Sequence, residues 1–313
     1  MIQPVFLAVL LAAPPAPLTS TASTTTAAPA ARPAAPAPRE MTCPIGGASF
    51  TYTRPGPQSV KGTRPDGKPI GAAAPPPLPE CPDNGLVLYK DYSPEEVTKL
   101  ETLIASPAYQ ALRASDTQYY RAYWLMKEMG VEPETYLWAL LQASWQADGR
   151  PELRSRYLGE LVESSAKVAP NPASLNWVGM EAHAINALRE LGRFDEALSR
   201  IDMVPLQPLD VRIPAGAATL PAVQEARKRR TWLAFFKSLK TAIERKDSSL
   251  EPLDLIPRAV ALERCIDGVA GLSEAGKSFC QAQATAVASV KANRDRQARE
   301  LEALRTSRDS SGR

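Results

Sequence analysis

Histidine is almost absent from this chain: His183 is the only one in 313 residues. Zinc sites built from several imidazoles are therefore excluded, and a Ser-His-Asp arrangement would have to rest on this one residue. No Gly-x-Ser-x-Gly elbow accompanies it, and its apolar neighbours place it mid-helix as a packed or hydrogen-bonded side chain. An excess of one charge sign is missing too. Lys and Arg number 37 against 34 Asp and Glu, a net +3, which gives no reason to expect nucleic acid as the main partner. No apolar run is long enough to cross a bilayer, the first thirteen residues included. Lys and Arg are absent before Arg32, and cysteine occurs only four times.

What the N-terminus does have is an apolar run, Met1 to Ala13, followed by small residues including Ala16. The run has signal-peptide length and suits a signal peptidase, although it lacks the positive start that such segments carry. Residues 1–20 are read as a signal, and the protein as exported, periplasmic or secreted, with no integral membrane segment once the signal is cleaved. No cysteine follows at lipoprotein spacing. In an exported chain four cysteines invite disulfides. The local choice among three connectivities joins Cys43 to Cys81 and Cys265 to Cys280; in a cytosolic chain all four would be thiols.

Thirty prolines, concentrated before residue 83, set the domain organisation. Residues 21–40 are Ala, Pro, Thr and Ser with almost no charge and read as a linker. Residues 41–92 read as a small irregular head. Ala48 to Thr53 alternates in strand fashion, Leu86 to Tyr89 is a second strand candidate, and turn chemistry such as Pro65-Asp66-Gly67 lies between them. This head has too little apolar surface to stand alone. From Ser93 the period becomes helical. Ser93-Pro94-Glu95-Glu96 is a capped helix start, and Val97, Leu100, Leu103 and Ile104 follow on one face. Helices are expected through 93–205, a Pro-rich connection over 206–221, further helices over 222–304, with Ser273 to Leu304 as one of them, and a frayed polar tail over 305–313.

Few residues suggest chemistry. Gly271 to Ser278 satisfies the spacing Gly-x-x-x-x-Gly-Lys-Ser, but the residues before it read as helix, whereas a phosphate loop must follow a buried strand. Paired carboxylates such as Glu95-Glu96 sit at helix starts, where the helix dipole favours them. The run Arg227-Lys228-Arg229-Arg230, followed by Trp232, Phe235 and Phe236, reads as an amphipathic helix, with an anionic partner or membrane surface as the functional alternative. Tyr119, Tyr123, Trp124, Trp138 and Trp145 form an aromatic set that would line a partner groove or fill a core. No cofactor or metal site emerges.

Two resemblances add to this. Ala182 to Pro205, with Gly192 in a turn, Phe194 opening the next helix and Ala197 where helices approach closely, resembles a tetratricopeptide repeat. Tyr136 to Pro170 resembles a second, weaker unit. Cys43-Pro44-Ile45-Gly46-Gly47 and Cys81-Pro82-Asp83-Asn84-Gly85 are similar to paired Cys-Pro-x-Cys-Gly zinc-ribbon knuckles with Gly46 and Asn84 in place of the second ligands. The layout resembles a bacterial family of unknown function with such a head followed by repeat-like helices. The resemblance implies a mainly α fold, an array of antiparallel helix pairs resembling tetratricopeptide repeats behind a small β-containing head, and assigns no reaction; the first reading is a non-catalytic exported scaffold that binds a protein or peptide through the concave face of its helices. The competing readings are an enzyme, hydrolytic or nucleotide-dependent, and a cytosolic regulatory protein derived from a zinc ribbon.

Overall fold

The computed structural model of the protein describes residues 37–213 and 219–311. The expected signal, most of the expected linker and part of the Pro-rich connection lie outside the described residues. The rest is mainly α-helical with a small β-containing head. Strand β1 (Arg39–Thr42) begins inside the stretch read as linker and pairs antiparallel with β2 (Ser49–Tyr52), placing Met41 opposite Phe50. A second hairpin joins β3 (Gly62–Thr63) to β4 (Pro69–Ile70).

The helix starts follow local chemistry. Ser93 accepts from the Glu96 amide at 3.3 Å, and Glu96 accepts back from the Ser93 amide at 3.0 Å. That reciprocal cap, with Pro at the first position, opens α1 (Pro94–Ala105). Ser106 ends α1 and caps α2 (Pro107–Ser115), and Thr117 caps α3 (Gln118–Glu128). Proline opens α4 (Pro133–Gln146) and α5 (Pro151–Ser165). Ser174 caps α6 (Leu175–Glu190), and a turn at Gly192, whose φ is +72°, leads into α7 (Phe194–Asp202). The long α8 (Leu220–Glu244) follows, then α9 (Arg258–Asp267), α10 (Glu274–Ala282) and α11 (Ala284–Ser311).

From α3 to α8 each helix packs on the next, while α6 also packs on both α4 and α8. The helices α4, α6 and α8 thus form one layer, with α5 and α7 on its other side. The main core runs through this set and includes Leu137, Tyr157, Ile185 and Phe236. Ala197 is fully buried within it. Replacing Ala197 with Leu is expected to overpack the α6–α7 contact and cost about 1–3 kcal/mol in a urea melt; an unchanged midpoint would place α7 loosely on α6.

The head does not stand alone. Cys43, Cys81, Leu86 and Val87 share a second cluster with Leu100 and Ile104 of α1, Tyr109 of α2 and Leu125 of α3. Ile70 joins a third, with Leu253, Ile256 and Val260. The disulfides are Cys43–Cys81 and Cys265–Cys280, the local pairing.

Three expectations change. Residues 86–89 make only an isolated bridge, Val87 to Glu80, because the buried Leu86 and Val87 face α1 and α3 rather than a neighbouring strand. The expected single helix over 273–304 is divided at Gln283, with the Cys265–Cys280 bond tying its first part to α9. The last helix continues through Ser311 instead of giving way to a frayed tail at 305.

Candidate functional site

The tip of the second head hairpin, Arg64-Pro65-Asp66-Gly67-Lys68, lies on the face made by α4, α6 and α8. Trp145 of α4 donates its indole N–H to the Asp66 carbonyl at 3.2 Å. Lys68 donates to the Trp145 carbonyl at 3.0 Å. His183 of α6 places Nδ1 3.2 Å from the Pro65 carbonyl; since that oxygen can only accept, Nδ1 carries the proton of the neutral ring. The ring lies between the edges of Trp138 and Trp232, with centroids 5.5 and 5.8 Å away. Gly67 has a φ of +83°, and a Cβ there would stand 3.2 Å from His183 Cε1. Both the turn and the close approach therefore require glycine.

Beneath the tip lies a cluster of buried charges. Arg64 spans Asp66 and Asp148. Arg154 of α5 reaches Asp66 at 3.0 Å, Asp148 at 2.8 Å, Glu190 at 2.6 Å and the Ser144 carbonyl at 2.7 Å. Lys68 adds a 2.7 Å contact to Asp148, and Asn186 donates to Glu190 at 2.9 Å. Arg189, fully buried, extends the network to the backbone carbonyls of Asp247 and Ser249 beyond α8. Burial raises the Asp66 carboxyl, but the hydrogen bond and charge of Arg64, with the charge of Arg154, more than offset this and hold it below the usual range. For Glu190 burial prevails and pushes its carboxyl up. All six carboxylate oxygens of Asp66, Asp148 and Glu190 accept hydrogen bonds within the cluster. None is held in reserve for a substrate. The cluster is a lock that fixes the head to the end of α4, to α5 and to α6.

The open space lies on the other side of α6. A cleft of about 920 Å³ separates α5 from α7, with α6 as its floor. Val162, Val168, Trp177, Leu188 and Val204 give it an apolar lining, and Met203 stands 74% exposed at its edge. Arg200 braces one end, paired with Glu181 at 2.7 Å and donating to the Ser165 hydroxyl at 3.0 Å. Arg193 is paired with Glu196. Glu163 and Asp195, also at the rim, have no salt-bridge partner among the described residues. The cleft is thus apolar at its base and acidic at its margin.

The aromatic set read from the sequence is divided among different surroundings. Tyr119 and Tyr123 are buried in the main core, and Tyr123 donates to Glu160 at 2.6 Å. Trp124 packs in the head cluster beside Tyr109, at 5.8 Å between centroids. Trp138 donates to Asn176 at 2.8 Å, and Trp145 holds the hairpin tip. They do not line one groove: the hairpin tip covers Trp145, while Trp138 stands half-buried against Asn176 and the His183 ring. Sequence reasoning missed Arg64, Asp66, Arg154 and Glu190; the one available signal was a Pro-Asp-Gly turn flanked by two basic residues, Arg64 and Lys68.

The two cysteine turns face one another. Beside their disulfide, Asn84 donates to the Ile45 carbonyl at 3.0 Å. No group of three or more His, Cys, Asp or Glu side chains is placed to share a metal among the described residues. Lys277 of the Gly271–Ser278 segment pairs with Glu274, and helix α9, not a strand, precedes it. No described helix is long and apolar enough to cross a membrane. No protein-family model, curated protein or solved structure matches the chain.

Proposed function

We propose that this chain is a non-catalytic, exported scaffold that binds a protein or peptide segment in the cleft between α5 and α7. The observation that carries this reading is the cleft itself, apolar at its floor and edged by the unpaired carboxylates of Glu163 and Asp195. Such a site suits a segment with apolar side chains flanked by Lys or Arg, since apolar burial supplies affinity and the rim supplies orientation. The helix-pair packing, the left-handed turn at Gly192 and the buried Ala197 support kinship with tetratricopeptide-like arrays. Two disulfides support an oxidising compartment such as the periplasm.

Panning a displayed random-peptide library on the full chain tests the proposal. Enriched peptides should combine apolar and basic residues. Their binding should fall at least tenfold in Ser199→Trp, which places a large side chain in the cleft from an exposed position, and persist in Trp138→Ala on the opposite face. Failure to enrich, or equal binding by the Ser199 variant, would remove the cleft as the site.

A further inference from the structure

We infer that the N-terminal half of α8 is a docking face for an anionic phospholipid surface, separate from the peptide cleft. Across α8 (Leu220–Glu244) the sequence has six basic residues and two acidic, against 37 and 34 in the whole chain. This helix therefore holds more than the entire positive excess of the protein.

Packing sorts these charges. Ala226, Leu233, Phe236, Leu239 and Ile243 are buried on one side of α8, which fixes the opposite side outward. Arg229 is turned back into the structure, pairing with Glu225 and donating to the carbonyls of Pro208 and Ala173. Lys240 pairs with Asp202. Arg227, Lys228, Arg230 and Lys237 are exposed, and none has a carboxylate partner among the described residues. Three of these cations, Arg227, Lys228 and Arg230, thus point outward from the N-terminal half of α8 with no carboxylate paired to them among the described residues.

Apolar side chains stand at the same end. Leu220, the first residue of α8, is 68% exposed. Ile213, 40% exposed, lies five residues beyond Pro208, whose carbonyl Arg229 holds. Leu220 stands seven residues before Arg227, two turns along the same face of α8, so an apolar side chain in the open shares that face with an unpaired cation. Basic side chains meeting lipid phosphates, with a few apolar side chains entering the headgroup boundary, are what an interfacial helix offers a bilayer. Charge complementarity favours anionic lipid. The small apolar area makes attachment reversible and dependent on charge.

Vesicle sedimentation of the full chain tests this, using phosphatidylcholine vesicles with and without phosphatidylglycerol. The protein should sediment only with the anionic vesicles and be released at about 1 M salt, where the Debye length falls to about 3 Å. Each cation near such a surface contributes about fivefold, so the triple variant R227Q/K228Q/R230Q should bind on the order of a hundredfold more weakly. These side chains are exposed, so its thermal melt should match the native protein's. Leu220→Ser, tested separately, should weaken binding by a few-fold without changing the salt dependence. Equal sedimentation with neutral vesicles, no sedimentation at all, an unaffected triple variant, or binding to heparin or DNA in place of vesicles would each overturn the inference. Peptide binding in the cleft is read separately, through Ser199→Trp.

Discussion

Replacing Arg154 with Leu should cost about 3–5 kcal/mol of unfolding free energy, the largest single effect expected in this chain. Arg154 is 5% exposed and reaches three carboxylates at once. Without it Asp66 and Glu190, whose side chains are 1% and 2% exposed, keep their burial and lose a counter-charge. Arg64 still pairs with Asp66, but Glu190 retains only Asn186 and the distant Arg189. The exposed pair Arg193–Glu196 is the internal comparison. Arg193→Ala should cost below about 1 kcal/mol, because solvent screens that pair and its side chains are free in the unfolded state. Domains of this kind are stable by only about 5–15 kcal/mol, so the Arg154 variant should unfold at much lower urea. Equal costs for the two variants would mean that the buried cluster does not hold the head in place.

The second large effect concerns acid. Desolvation holds the buried His183 ring well below its ordinary value, down to about 4, against the smaller opposing pull of Asp66 and the Pro65 carbonyl. The unfolded chain takes up the proton near pH 6.5 and the folded chain near 4, so between these values the unfolded state binds more protons. Stability from the neutral ring is complete above pH 6.5 and is lost as pH falls toward 4, by on the order of 3 kcal/mol. Glu190, with its carboxyl pushed up, titrates in the opposite sense, so the test is a difference. His183→Asn keeps a donor toward Pro65 and removes the titration. The native protein should lose more stability than this variant between pH 6.5 and 4.5, read by urea unfolding at each pH. Parallel curves would place a proton on the ring in the folded state.

The legible parts of this fold are those written in neighbouring residues. The reciprocal cap at Ser93 and Glu96, the prolines opening α4 and α5 and the Gly192 turn involve contacts within a few positions, and the sequence places them within a residue or two. Residues 86–89 were illegible as non-strand because an apolar run does not say whether a strand or a helix covers it. The lock was illegible for a different reason. Arg64, Asp66 and Lys68 look like ordinary loop charges, and their partners lie 77 to 88 residues away along the chain. The cleft, likewise, depends on how α5 and α7 diverge across α6, which no local pattern encodes. The aromatic set illustrates the same limit: Trp145 reads equally as groove or core, and nothing near it in the sequence announces the hairpin tip that covers it.

That covering separates a face closed by the chain itself from a cleft that remains open, and amide hydrogen exchange of the full protein tests it without any ligand. The amides of Arg64, Gly67 and Lys68 all donate within the tip, to the Lys68 carbonyl, the Arg64 carbonyl and the Asp66 carboxylate at 2.9, 2.9 and 3.0 Å. If the buried cluster locks the tip onto α4 and α6, these amides should exchange as slowly as those in the middle of α6 and should speed up together in Arg154→Leu. Exchange at the rate of an exposed loop in the native protein would contradict the account, open the α4–α6–α8 face, and move the expected binding site from the cleft to Trp138 and Trp145.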